Sequence, residues 1–412
     1  MAHIHFRNLT SLRDALGLCR EHLGGRRTEA ERVALDRAAG RVLAARIVAA
    51  MPLPHFARST MDGYAVRAAD TFSASTSAPT MLRLAGQVRI GHAPDMMLQA
   101  GETADIPTGG MVPCGADAVV MLEHAEAMSG DMIQVFRPVA PGQHVQQVGE
   151  DIAQGAEALP AGTLLTGADV ALLAALGVMG VEVHMRPRVA IVSTGDEIVP
   201  AEFTPGPAQM RDANAHGLAA LCHRSGAEPV MLGIVEDEPE ALGKTAEQAL
   251  NDCDLLIVSG GSSAGARDMT LEVLRDLCSP GVFVNGIALR PGKPTIIASC
   301  SGKLAFGLPG HPVSALVVFD RLVGPVLAWL MGAEMRENRI SAHATRTVPS
   351  EAGLTEYVRV RLRHEEQQWL AEPLFGKSAS ISSLGTADGL LEIPAGVEGI
   401  DQGEPVDVIL WS

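Results

Sequence analysis

The chain has 412 residues, 48 acidic against 32 basic side chains and a net charge of -16. Roughly 100–200 residues make one domain, so two to four domains are expected, and 47% apolar residues can fill several cores. The acidic balance excludes nonspecific binding to nucleic acid or to an anionic membrane, because phosphates are repelled at long range.

In chain order, a helical pattern over Leu9 to Leu23 leads into a second over Glu31 to Ala50, stopped by Met51-Pro-Leu-Pro54, because proline cannot donate a helix hydrogen bond. From 80 to 150 the apolar runs are short and divided by Gly and Pro, as in a β-rich module. Residues 163–177 return to a helical pattern. Val189 to Val192 and Leu255 to Val258 are continuous apolar runs, as strands buried on both faces show. Helical stretches near 217–225, 239–251, 269–277 and 313–330 alternate with these and with strands near Val230, Val282, Thr295 and Leu304. That alternation predicts a three-layer α/β domain with a mostly parallel sheet. Its ligand belongs outside the carboxyl ends of the strands. Tyr357 to Arg363 alternates with period two and opens a small C-terminal β domain.

The fold class is therefore multidomain α/β and β. The expected units are 1–50 with 150–185 (helical and linker), 51–149 (inserted β-rich module), 186–332 (α/β) and 333–412 (C-terminal β). The six cysteines form no CxxC pair, and buried reduced thiols are expected. The polar N-terminus carries no signal-peptide pattern, and Val170 to Val181 is too short to span a bilayer. A soluble cytoplasmic protein is expected.

Four loops at predicted strand ends carry the chemistry. Ser193-Thr194-Gly195-Asp196-Glu197 offers hydroxyls and carboxylates; Ser259-Gly260-Gly261-Ser-Ser263-Ala-Gly265 can turn consecutive backbone N–H groups toward an anion. Arg290-Pro-Gly292-Lys293-Pro294 presents two cations, and Pro309-Gly310-His311-Pro-Val-Ser314 precedes a helix. With Glu197, Asp237 and Asp268 nearby in sequence, an anionic ligand accompanied by a divalent cation is expected. There is no HExxH, GxSxG or GxGxxG, and Gly243-Lys-Thr245 lacks the first glycine of a P-loop. The turns around Asp62-Gly63, Pro107-Thr108-Gly-Gly110 and Gly149-Glu150-Asp151 read equally well as plain loops.

In order, SxxDGYA at 59–65, PTGG at 107–110, GADAVV at 115–120, GEDI at 149–152, STGDE at 193–197, SGGSSAGARD at 259–268, RPGKP at 290–294 and GLPGHPVSA at 307–315 resemble the MoeA family of molybdopterin molybdenumtransferases, related to the C-terminal region of gephyrin. The resemblance covers residues 8 to 410. It implies insertion of molybdenum from molybdate into adenylylated molybdopterin, with magnesium-dependent release of AMP, by a homodimer whose cleft lies between two subunits. It implies Asp62, Glu197 and Asp268 as catalytic acids, and Asp62, Glu197, Asp237 and Asp268 as metal ligands. Thr108, Glu150, Asp151, residues 193–196, Gly260, Gly261, Ser263, Gly265, Arg290, Gly292, Lys293, Pro309, Gly310, His311, Ser314, Arg359 and Ser378 would bind substrate. An adenylyltransferase partner and molybdoenzyme clients follow from the same resemblance. Ala57-Arg58, Gly286 and His311 depart from the family pattern. A paralogue that carries molybdenum cofactor without turnover is the alternative, as is an enzyme acting on another adenylylated compound.

Overall fold

The computed structural model describes residues 9–260 and 264–411, with no side-chain description for 264–267. Gly261 and Ser263, both expected in the anion loop, lie outside the described residues, and of Gly265 only its place in a helix is described. Helix α1 (Leu12–Leu23) starts where the Ser11 hydroxyl accepts the Asp14 N–H, and ends at Gly24 with φ 56°. Helix α2 (Gly167–Ala175) starts with a capping box between Thr166 and Asp169.

The helix expected over Glu31 to Ala50 does not form. Ala30–Ala34 is a strand paired antiparallel with Gly180–His184, a 3-10 turn follows at Leu35–Arg37, and Ile47–Val48 pairs with Glu157 and Leu159. Residues 31–50 are rich in helix formers, but pairing with a strand about 150 residues later overrides propensity. Helix α1 also differs from the grouping made on sequence. It buries Ala15, Cys19 and Leu23 in the core of the α/β unit, beside Val189, Leu218 and Phe306.

The inserted module is a six-stranded sheet in the order 118–121, 63–66, 102–106, 80–87, 132–135 and 125–128. The α/β unit is a second six-stranded sheet in the order 228–235, 188–194, 255–260, 303–309, 296–300 and 280–285. Its first three pairings are parallel and the last two antiparallel, which gives the mostly parallel three-layer domain expected. Helices α3 (Ala213–Arg224), α4 (Pro239–Asp252), α5 (Ala264–Leu277) and α6 (Pro312–Val318) flank it. A π-helical turn joins α6 to α7 (Gly324–Leu330). The stretch Pro312–Leu330 is long and apolar enough to cross a membrane, but 83% of it is buried in the protein. Asp320 and Arg321 interrupt it inside a network with Arg224 and Glu337. It is a core helix.

In the C-terminal unit, Thr355–Glu365 pairs with both Gln368–Pro373 and Gly389–Ile393, closing the sheet on itself. Leu289–Arg290 of the α/β unit joins this sheet in parallel at Thr355–Glu356. Tyr357, Leu384, Leu390 and Ile409 enter the α/β core, so the two units share an apolar floor.

The expectation of buried reduced cysteines fails at Cys114, which is exposed, and at one pair. Cys278 and Cys300 form a disulfide with Cα atoms 4.3 Å apart, because antiparallel pairing of 280–285 with 296–300 brings Cys278 beside the end of its neighbour. Cys19 and Cys222 are buried thiols, each pushed up to about 12 by desolvation.

Candidate active site

Parallel register sets the first half of the site. Thr194 pairs with Gly260, and Gly260 with Pro309, so three of the four loops leave adjacent strands at the same edge. A Cβ on Gly260 would lie 2.5 Å from the Thr194 methyl; only glycine permits this approach. The Thr194 hydroxyl donates to the Asp237 carboxylate at the end of the neighbouring strand. Glu197 folds back, its Oε2 2.9 Å from where a Cβ on Gly195 would stand. Asp268 is exposed near the start of α5, and Asp196 is exposed too.

Asn214, on no motif, ties two of these loops together. Its amide donates to Ser259 Oγ at 3.0 Å and to the Gly310 carbonyl at 2.9 Å. Its own Oδ1 and the Ser193 hydroxyl are buried without a partner. The available sequence signal was Asp212 two residues earlier, which caps α3 by accepting the Ala215 N–H at 3.0 Å.

The second half is a cavity of about 830 Å³ between the α/β and C-terminal units. Arg290, Gly292, Lys293, Pro309, His311 and Ser314 line it from one side, and Arg359 and Ser378 from the other. Pairing of 289–290 with 355–356 sets the RPGKP turn against the C-terminal sheet. A Cβ on Gly292 would overlap the Val318 side chain, and its φ is 130°, so glycine is required twice over. Arg290 stands 3.6 Å from Glu356. Lys377, which sequence reasoning missed, also lines the wall.

Arg359 is the decisive group. It is 8% exposed, donates to Ser383 Oγ at 2.6 Å and to the Gly376 carbonyl at 2.8 Å, and has no carboxylate partner among the described residues. Desolvation pulls its guanidinium below the usual arginine value. Both partners are neutral, so the charge is buried without a counter-ion. A buried charge is costly unless compensated, and a bound anion compensates it.

The remaining acids lie elsewhere. Asp62 sits on an exposed turn and accepts the Thr108 N–H at 2.7 Å. That bond, then the Thr108 hydroxyl, holds its carboxyl below the usual carboxylate range. The DGYA turn needs its glycine, because a Cβ on Gly63 would overlap the Val120 carbonyl oxygen of the next strand. Glu150 accepts the Gln147 N–H at 2.7 Å, and Asp151 is exposed beside it. Among the described residues, no hydrogen bond or ion pair joins these acids to Glu197, Asp237 or Asp268, and no three His, Cys, Asp or Glu side chains gather as a metal cage. The carboxylate oxygens of Glu197, Asp237 and Asp268 are nonetheless the donor type magnesium takes, one or two at a time with substrate phosphates completing its shell.

Three family models match in sequence: the MoeA N-terminal region (domain I and II) over residues 10–177, a probable molybdopterin binding domain over 190–329 and the MoeA C-terminal region (domain IV) over 341–411. The chain belongs to the MoeA family. It is 33% identical over 387 residues to the molybdopterin molybdenumtransferase of Bacillus subtilis, covering 93% of this chain and 90% of that one. It is 35% identical over 388 residues to molybdopterin molybdenumtransferase 2 of Mycobacterium tuberculosis, covering 91% and 94%. A solved MoeA structure from Pyrococcus horikoshii OT3, described as a molybdopterin biosynthesis protein, superposes with a TM-score of 0.84 at 32% identity, covering 98% of this chain and all of that one. This MoeA chain is thus an enzyme of the molybdopterin molybdenumtransferase type, in molybdenum cofactor biosynthesis.

Proposed function

We propose that this MoeA chain inserts molybdenum from molybdate into adenylylated molybdopterin and releases AMP. The observation that carries the reading is Arg359, a buried guanidinium without a counter-ion, on a cavity that Lys293 and Lys377 also line. A tetrahedral oxyanion fits that need: it is compact, doubly negative and able to accept from Arg359, Ser314 and Ser378 at once. The loops at Thr194, Gly260 and Pro309 hold the pterin and its phosphate next to that cavity, with Asn214 fixing their spacing.

Glu197, Asp237 and Asp268 are the residues that would hold magnesium together with the substrate phosphate. When bound, the ion neutralises charge on the phosphate being cleaved. Lys293 and the strand-end amides stabilise the departing AMP. Asp62, Thr108, Glu150 and Asp151 reach the site from a second copy of the chain, which accounts for their separation from Glu197 within one subunit. In that homodimer Asp62 stays ionised, because the Thr108 N–H favours its charged form.

The test is AMP release from adenylylated molybdopterin by the purified protein, with and without molybdate and magnesium. Release that requires both supports the reading. Turnover indifferent to molybdate, or binding of molybdenum cofactor with no AMP released by the wild-type protein, overturns it.

A further inference from the structure

The cavity wall contains one side chain of a type that changes charge near neutral pH. His311 Nδ1 lies 3.0 Å from Ser378 Oγ, and both residues line the cavity. The backbone holds the pair together, since the Val313 N–H donates to the Ser378 carbonyl at 3.1 Å. His311 belongs to the α/β unit and Ser378 to the C-terminal unit, so this contact bridges the two walls.

A serine hydroxyl has one proton, and an imidazole nitrogen either accepts or donates. When Nδ1 is bare, the contact is kept only if Ser378 donates its proton to His311, which leaves oxygen lone pairs for the cavity. Those repel an oxyanion. When Nδ1 carries a proton, it donates to Ser378 Oγ, and the hydroxyl proton is free to point at the oxyanion. The doubly protonated ring fixes this second arrangement and adds a positive charge to the same wall.

We propose that His311 is a positioning residue that couples oxyanion affinity to proton uptake: the doubly protonated ring adds charge to the cavity wall and, by donating from Nδ1, leaves the Ser378 hydroxyl free to donate to the oxyanion. The proposal rests on the oxyanion reading of the cavity and adds a specificity rule: a dianion able to accept from Ser378 binds best when His311 is protonated. The sign follows from linkage. A bound dianion favours the imidazolium, so the gain in affinity is present at low pH and fades as pH rises through the imidazole range.

Other groups face the same space. Arg290 and Lys293 come from the α/β turn, and Glu351, Glu356, Tyr357, Arg359 and Lys377 from the C-terminal unit. Helix α3, which meets the turn through Asn214 and Gly310, is capped by Asp212 and carries His216 in its first turn and His223 and Arg224 in its last. Carboxylates, lysines and arginines as types keep their charge between about pH 6 and pH 8.5. Burial, the largest influence, pushes the Tyr357 hydroxyl above its usual value, so it stays neutral there. Of the two α3 imidazoles, His216 stands beside Asn214 in the first turn and is the nearer competitor along the helix.

The test is calorimetric titration of the full-length protein with micromolar molybdate, a dianion throughout this interval, from about pH 6 to about pH 8.5. Two buffers of different ionisation enthalpy count the protons taken up. The wild-type dissociation constant is expected to rise with pH, by at most about tenfold per unit for one linked proton, with net proton uptake on binding. His311→Asn keeps a donor toward Ser378 but does not titrate; its dissociation constant is expected to be flat with pH and its proton uptake lost. His216→Asn is expected to retain the wild-type slope. Thermal melting of each variant separates loss of fold from loss of the pH response.

A flat wild-type profile overturns the proposal, and so does a His311→Asn profile with the wild-type slope. Arg359→Ala tests the underlying reading separately. If molybdate binding survives that change at every pH, the cavity assignment fails whatever the slope does. If the wild-type protein binds no molybdate at any pH, both fail.

Discussion

The C-terminal cavity and the turn that bears Asp62 present charge in opposite ways. Arg359 is buried, held by a hydroxyl and a carbonyl, and lacks a carboxylate partner among the described residues. Asp62 is exposed, and a backbone N–H satisfies its charge. The first arrangement costs free energy as it stands, and on the reading proposed above an anion would offset that cost. The second costs nothing as it stands, so within one chain it reads as a stable turn. A carboxylate in such a turn acquires a role only through what is brought against it. A cavity can thus be recognised from one subunit, whereas an exposed acid of this kind cannot.

The sharpest way to break this contrast is to neutralise the acids. Asp62→Asn and Glu197→Gln are each expected to lower AMP release by about a hundredfold or more, far more than they lower substrate affinity. Single-turnover rates beside binding isotherms check the split. If Asp62→Asn turns over normally, the turn is structural and the comparison collapses. Next, Arg359→Ala is expected to weaken molybdate binding by about 10- to 100-fold, the worth of a charged hydrogen bond. Arg359→Lys should recover part of that loss, as equilibrium dialysis would show.

Two smaller effects sharpen the picture. Gly63→Ala forces a side chain into the Val120 carbonyl, and is expected to destabilise the inserted module by about 3 kcal/mol. A lowered melting transition with the cavity's molybdate affinity intact would show that the two regions are energetically separate. The last concerns pH. Because the folded pKa of Asp62 is depressed, its contribution to stability is present above the unfolded value of about 4. It is lost as pH falls through the lower folded value. The Asp62 carboxyl resonance should titrate below those of unconstrained aspartates, and Thr108→Pro, which removes the N–H, should return it toward the ordinary range.

Much of the α/β unit was legible in the sequence because its strands are buried on both faces. Val189 to Val192 and Leu255 to Val258 cannot be read as anything exposed. The segment after Glu31 was not legible. Its residues suit a helix locally, and only the strand at Gly180–His184 makes them extended. Helix α1 is legible as an element, but an amphipathic face does not say which core it will join. Asn214 escaped notice because a single carboxamide carries no spacing signal. Its meaning lies in the two loops it bridges.

By itself, the sequence determined which residues could bind an anion and in what order the loops occur. Such chemistry is local: a glycine permits a close approach and a proline ends a helix, whatever the rest of the chain does. The tertiary structure alone decided which cation is costly. Arg359 and Lys377 lie far along the chain from Lys293 and His311, and parallel pairing of residues 289–290 with 355–356 gathers them on one cavity. Burial, unlike composition, depends on what the rest of the chain places around a group, and burial is what turns an ordinary arginine into a site for an oxyanion.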